Sequence, residues 1–161
     1  MSDKIIPRAE VSALGARMRR EGRRIVFANG CFDLLHVGHV RYLQGAKEQG
    51  DVLVVGVNSD RTVRELKGEG RPLLPAEARA ELIAALESTD YVLIFDDPTA
   101  AGVLQDLRPH VHCKGTDYSE ETVPERDVMK SLGGTVRIVG DDKGHSTREV
   151  LSEIVRRSPK H

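Results

Sequence analysis

The chain has 161 residues, with 24 Lys and Arg against 25 Asp and Glu, a net charge of −1 and a hydrophobic fraction of 39%. This length supports one domain with its own core, and balanced charge without a basic tail or stripe speaks against a nucleic-acid partner. The two cysteines, Cys31 and Cys113, lack metal-type spacing and form no disulfide framework, and neither a leader-like segment nor a membrane-spanning apolar run is present, so a soluble cytoplasmic protein is expected.

From Pro7 to Arg20, Val11, Leu14 and Met18 recur among charges at helical spacing, and Gly22 ends the pattern. This N-terminal helix, within residues 1–22, precedes a first strand from Arg24 to Ala28, where Ile25, Val26 and Phe27 are consecutively apolar. A helix is expected over Val37–Gln49, with Val37, Val40, Leu43 and Ala46 on its inner face and Gly50 at its end. Val52–Val57 reads as a second buried strand. Asn58, Ser59 and Asp60 suit a helix cap, and a short helix should follow to Leu66.

Lys67 to Pro75 is rich in Gly and Pro and reads as a loop. Pro75 then opens a helix to about Glu87, with Leu82, Ala85 and Leu86 turned inward. Tyr91–Phe95 is the third strand, Thr99–Leu107 a helix stopped before Pro109, and Val111–Cys113 a short fourth strand. Glu125–Leu132 reads as helical, Gly133-Gly134 as a turn and Thr135–Val139 as the fifth strand. Ser146 and Glu149 form a capping-box pattern that opens a last helix to about Arg157.

Alternating helices and strands, with no repeat and no linker, predict one α/β domain over 1–161. Its core is a Rossmann-like parallel sheet of about five strands with helices on both faces. Ligands bind such sheets at the carboxyl ends of the strands. His36 and His39, Asp60 and Lys67, Lys114 and Asp117, and Ser146 and Thr147 all fall there, on four separate loops.

The stretch from Ile25 to His39 is a strand, a Gly-containing turn and a helix start, the geometry whose backbone N–H groups and helix dipole receive phosphate. Gly38 permits close approach of a phosphate to the backbone, and imidazoles at i and i+3 reach one group together. Metal binding is the rival use of the two histidines; it needs a third ligand, for which Asp33 is the near candidate. Lys67 and Arg71 sit about Gly68 and Gly70, so they read either as solvated loop charges or as cations that swing onto a substrate. Asp60 reads equally as a helix cap. Cys31 reads as a small packing residue.

The segment Gly30-Cys-Phe-Asp-Leu-Leu-His-Val-Gly-His39 resembles the signature of the cytidylyltransferase-type nucleotidyltransferases. Asn58-Ser-Asp60, Leu66-Lys-Gly68, Arg71-Pro72, Pro75 and the run from Val111 to Tyr118 are similar to one branch, the bacterial D-glycero-β-D-manno-heptose 1-phosphate adenylyltransferases. The likeness runs from about Arg24 to Ile154. That branch occurs alone or as the C-terminal half of a bifunctional kinase–adenylyltransferase, and the chain looks like the stand-alone form.

The resemblance implies transfer of AMP from ATP to heptose 1-phosphate, with His36, His39 and Lys67 carrying catalysis. It implies nucleotide contacts at Gly30, Cys31, Phe32, His36, Gly38, His39, Lys114, Asp117, Ser146 and Thr147. Acceptor contacts are implied at Asp33, Asp60, Lys67 and Arg71. Mg2+ is expected on the triphosphate, with no dedicated protein ligands, and the enzyme is expected to be a homodimer. Two positions depart from the branch pattern: Thr116 stands in place of a glycine and Arg148 in place of a threonine. A glycerol-3-phosphate cytidylyltransferase, or another sugar- or polyol-phosphate nucleotidyltransferase, is the related alternative. Asp141-Asp-Lys-Gly144 argues against the former, because its acidic pair stands where an arginine is expected. A nucleotide-binding regulatory module is the non-enzymatic alternative, against which both histidines and Lys67 are intact.

Overall fold

Five strands form one parallel sheet in the order β3-β2-β1-β4-β5: β1 Ile25–Gly30, β2 Val52–Asn58, β3 Tyr91–Phe95, β4 Val111–Lys114 and β5 Thr135–Ile138. The structure is a computed structural model that describes residues 2–141 and 146–159. The register sets Ile25 beside Val52 and Val26 beside Val111, so β1 is the central strand. Chain order reverses between β1 and β4, and this switch point opens a crevice beyond the carboxyl end of β1. All seven residues of β2 are buried, as both faces of a parallel sheet must be. Gly56 is required in it, because a Cβ there would lie 2.7 Å from the Phe27 ring.

Successive strand residues face opposite ways, and each face has its own helical cover. Ile25 and Phe27 join Val11, Leu14 and Met18 of α1 (Val11–Arg20), Val103, Leu104 and Leu107 of α5 (Ala101–Leu107) and Met129 of α6 (Arg126–Ser131). Val26 and Ala28 join Leu43 and Ala46 of α2 (Val37–Lys47) and Ala80, Ile83 and Ala84 of α4 (Ala76–Ala84). The remaining helices are α3 (Asp60–Lys67), after β2, and α7 (Thr147–Arg157), which buries no residue.

The architecture is the expected one, but several element ends and two helix faces differ. β1 runs on to Gly30, and α1 is preceded by a separate 3-10 turn at Arg8–Glu10. Val37 is 41% exposed and Val40 half-buried, because the first turn of α2 overhangs the crevice and meets the core only from Leu43. In α4 the inner face is Ala76, Arg79, Ala80, Ile83 and Ala84, one position out of phase with the expected stripe. Leu82 and Ala85 face solvent and Leu86 is half-buried. Small residues let α4 approach the strands closely, and a polar anchor at Arg79 sets its rotation. Ser59, whose Oγ accepts from the Thr62 N–H, caps α3, so Asp60 is its first residue and Lys67 its last. Of the expected capping box at α7, the structure shows the Ser146 half: Oγ accepts from the Glu149 N–H at 3.0 Å.

Candidate active site

β1 delivers the chain into the turn at Gly30 to Asp33. Phe32 adopts a left-handed backbone (φ 49°), and its buried ring lies edge-on to His39 at 5.3 Å. Gly30 fits against that ring; a Cβ there would come within 3.2 Å of it. His36 then caps α2. Its Nδ1 accepts from the Gly38 N–H at 3.1 Å, while its own N–H donates to His39 Nδ1 at 3.3 Å. The two rings stack with centroids 3.8 Å apart.

This reciprocal cap has a chemical consequence. A neutral imidazole that accepts at Nδ1 carries its proton on Nε2, so both rings present an Nε2–H donor edge. Burial pushes the His39 pKa down to about 4, and repulsion from His36 once that ring is protonated and from Lys67 adds to the effect, so His39 is neutral at pH 7. The Gly38 and His39 amides, which a bare helix terminus would offer to phosphate, are engaged with His36 Nδ1 and the His36 carbonyl. Imidazole edges thus stand where orphan amides were expected.

A cavity of about 860 Å3 opens over this cap, and of all the residues expected in the site only Asp60 lies outside its lining. Their roles divide. Asp33 is 2% exposed and its carboxylate accepts from Arg71 Nε at 2.6 Å and from the Leu73 and Leu74 N–H groups. Burial alone would raise its pKa, but the Arg71 bond and the two amides overcome that and hold it below the usual carboxylate range. Asp33 is therefore a tether for the 68–75 loop, not an open acceptor contact as expected from the sequence. It cannot at the same time complete a metal site with the histidines. Among the described residues, no group of three or more His, Cys, Asp or Glu could hold a metal ion.

Asp60 likewise departs from expectation: its carboxylate receives Arg79 Nη2 at 2.7 Å. Arg79 was not anticipated, since an arginine on an amphipathic helix ordinarily reads as solvated. It is fully buried. Nε donates to the Leu74 carbonyl, and Nη1 to the carbonyls of Cys31 and Asn58, both at 2.7 Å. One guanidinium thus joins the turn after β1, the end of β2, the start of α3 and the 68–75 loop. The fork of five donors suits that task as an ammonium would not.

On the β4 side, Lys114 Nζ lies 4.8 Å over the Tyr118 ring, and burial lowers its pKa. Thr116 Oγ1 donates to the Asp141 carbonyl at 2.7 Å, a bond a glycine could not make, and the Asp141 carboxylate pairs with Arg41. Asp142, Lys143, Gly144 and His145 lie outside the described residues, so the acidic pair is seen only at Asp141. Ser146 Oγ serves as the α7 cap, and Thr147 Oγ1 donates to the Leu34 carbonyl at 3.1 Å, tying α7 to the turn after β1. Burial raises the Cys31 thiol pKa, which fits packing and not a thiolate nucleophile. Behind the site, His112 Nε2 meets Asn29 Oδ1 at 2.8 Å.

Comparison with known proteins follows the same lines. The profile of the cytidylyltransferase-like family matches residues 27–157. The chain is 52% identical over 138 residues to the bifunctional protein HldE of Geobacter metallireducens, covering 86% of this chain and 28% of that protein. Against the HldE of Pelobacter propionicus it is 46% identical over 154 residues, 96% of this chain and 32% of the relative. The chain thus spans less than a third of the length of these curated relatives. Among solved structures, the lipopolysaccharide core biosynthesis protein of Thermoplasma volcanium GSS1 is similar with a TM-score of 0.63 and 30% identity, over 77% of this chain and 100% of that one. Among the described residues, no helix is long and apolar enough to cross a membrane.

Proposed function

The chain belongs to the cytidylyltransferase-like family of nucleotidyltransferases, and we propose that it transfers the adenylyl group of ATP to D-glycero-β-D-manno-heptose 1-phosphate, giving ADP-heptose and pyrophosphate. The mutual cap of His36 and His39 carries this reading, because it gives two oriented Nε2–H donors to the lining of the 860 Å3 cavity. The choice of acceptor is supported by the sequence likeness to heptose 1-phosphate adenylyltransferases. The similarity to a lipopolysaccharide core biosynthesis protein points the same way.

In the reaction an oxygen of the sugar phosphate attacks the α-phosphorus in line, the bond to the bridging oxygen breaks, and pyrophosphate departs. A phosphate monoester is already largely ionised at neutral pH, so the site needs no general base. Its task is orientation and charge stabilisation. His36 and His39 donate to the triphosphate through Nε2–H. Lys67, at the exposed end of α3, brings a positive charge whose influence reaches His39. Arg71, held by Asp33 through Nε, lines the cavity and adds a positive charge for the same anions. Lys114, Asp117, Ser146 and Thr147 line the same cavity and are assigned to the nucleotide.

Magnesium suits this donor set as an ion carried by the triphosphate. The Asp33 carboxylate is already engaged with Arg71, Leu73 and Leu74, so the ion would take its oxygen ligands from phosphate and water. When bound, it neutralises triphosphate charge. By the same family resemblance we infer that the enzyme acts as a homodimer.

Pyrophosphate release, measured for ATP and CTP against a panel of sugar and polyol phosphates, tests the proposal. ATP with heptose 1-phosphate is expected to be the fastest pair. Faster turnover with CTP and glycerol 3-phosphate would overturn it, and ATP binding without release for any acceptor would indicate a regulatory module.

A further inference from the structure

Glu125 immediately precedes α6 and lines the cavity, yet it is only 6% exposed. Its Oε1 accepts the Ala100 N–H at 3.3 Å, which joins it to the segment after β3. Its Oε2 is buried and, among the described residues, has no hydrogen-bond partner. A sealed, unpaired carboxylate oxygen costs far more than an exposed one, so such an atom persists where another state of the molecule supplies a donor. Lys114 does not satisfy it: among the described residues no ion pair joins the two, and Lys114 Nζ rests over Tyr118. Glu125 lines the same cavity as Lys114 and Tyr118, and its charge is felt at both.

Position then narrows the donor. His36, His39 and the start of α7 lie on the side of the sheet covered by α2, where Thr147 holds Leu34. Glu125 lies on the other side, with α5 and α6. In-line displacement demands that the acceptor oxygen approach from the side opposite the departing pyrophosphate. An acceptor on the α5–α6 side, facing a nucleotide seated over α2, meets that demand.

We propose that Glu125 is a specificity-determining residue that accepts a hydrogen bond through Oε2 from a hydroxyl group of the polyhydroxylated acceptor. This rests on the nucleotidyltransferase reading above and extends it to the choice of acceptor. A sugar phosphate brings its anion to the cationic groups of the cavity and its hydroxyls to this wall. A hydroxyl is lost from water only if it is paired again, so a matched acceptor favours a hydroxylated substrate over its deoxy counterpart.

Glu125→Gln keeps an oxygen for the Ala100 N–H and exchanges the charged acceptor for an amide, so the fold is expected to survive, as a thermal melt would verify. With the acceptor that wild type uses best in the substrate panel, the variant is expected to raise the acceptor KM at least tenfold. The ATP KM and ATP affinity should stay within twofold. Wild type should favour that acceptor over a deoxy analogue lacking the recognised hydroxyl, and the variant should lose most of the preference. Glu125→Ala should show the same selectivity loss with a lower melting temperature. An unchanged acceptor KM, or a rise confined to ATP that alters the choice between ATP and CTP, would overturn the assignment, the latter by showing that Oε2 meets the base amino group. Failure of wild type to turn over any phosphorylated acceptor would overturn the functional reading and this inference together. Turnover by wild type with indifferent variants overturns this inference alone.

Discussion

His39 Nδ1 receives the backbone N–H of His36 while the two imidazole rings stack 3.8 Å apart, so each histidine fixes the orientation of the other. His39→Ala should therefore act on two quantities of very different size. Loss of an oriented donor to the triphosphate is expected to lower kcat by about 100-fold or more. Loss of a cap partner should cost about 1 kcal/mol of stability, the usual value for a helix cap. Pyrophosphate release and chemical denaturation, measured on the same preparation, separate the two. A loss of activity no larger than the loss of folded protein would reduce the motif to a cap.

The same residue sets a pH dependence. Burial, then repulsion from a protonated His36 and from Lys67, holds His39 near pKa 4 against an ordinary 6.5. Between those values the unfolded chain binds a proton that the folded chain refuses, so stability rises with pH through that window. The contribution is complete above about pH 6.5 and disappears as pH falls through about 4. His112, pushed down to about 3 by burial and by Lys114, works in the same direction, so wild type alone cannot isolate one residue. The stability difference between wild type and His39→Ala can: it should shrink steadily as pH is lowered from 7 to 4. A difference that stays constant would mean that His39 titrates as it does in the unfolded chain.

Arg79 carries a larger structural load than any residue picked out from the sequence. Its guanidinium satisfies three carbonyls and the Asp60 carboxylate from a fully buried position. Arg79→Met keeps much of the volume and strands those acceptors, at an expected cost of about 3 kcal/mol or more in urea unfolding. Arg79→Lys should recover only part of this, because one ammonium cannot span the four acceptors. A neutral Arg79→Met would show that water replaces the guanidinium without penalty.

These cases mark what was legible in the chain. β2 was, because Val-Leu-Val-Val-Gly-Val leaves no polar face and both sides of a parallel sheet are covered. The position of the histidine pair at the start of α2 was, because a Gly-containing turn after an apolar run leads there into a helical pattern. The α4 face was not: a Leu82-centred stripe is the more apolar choice, yet the buried bonds of Arg79 turn Leu82 to solvent at 44% exposure. The family resemblance implies acceptor contacts at Asp33 and Asp60, whereas their partners Arg71 and Arg79 lie far along the chain and pair with them only in the fold. Glu125 was missed for a related reason. An orphaned oxygen is a property of its surroundings, and no spacing rule reports it.

Lys67 gives the sharpest separation of function from folding. It is exposed and ends α3, and Gly68 beyond it has φ 96° and ψ −176°, a conformation open essentially to glycine alone. Gly70 is also left-handed, at φ 85°. This hinge leaves the ammonium free to close on a bound triphosphate while its stem buries little surface. Lys67→Ala should consequently lower kcat by about 10- to 100-fold, with a melting temperature unchanged within experimental scatter. Gly68→Ala tests the hinge itself: a Cβ there meets nothing within 4 Å among the described residues, so the penalty arises from the backbone. It is expected to cost about 1 kcal/mol or more and to slow turnover with Lys67 still present. Full activity in Lys67→Ala would leave the triphosphate charge to Arg71 and the histidines. Full activity in Gly68→Ala would show that Lys67 acts without the loop moving.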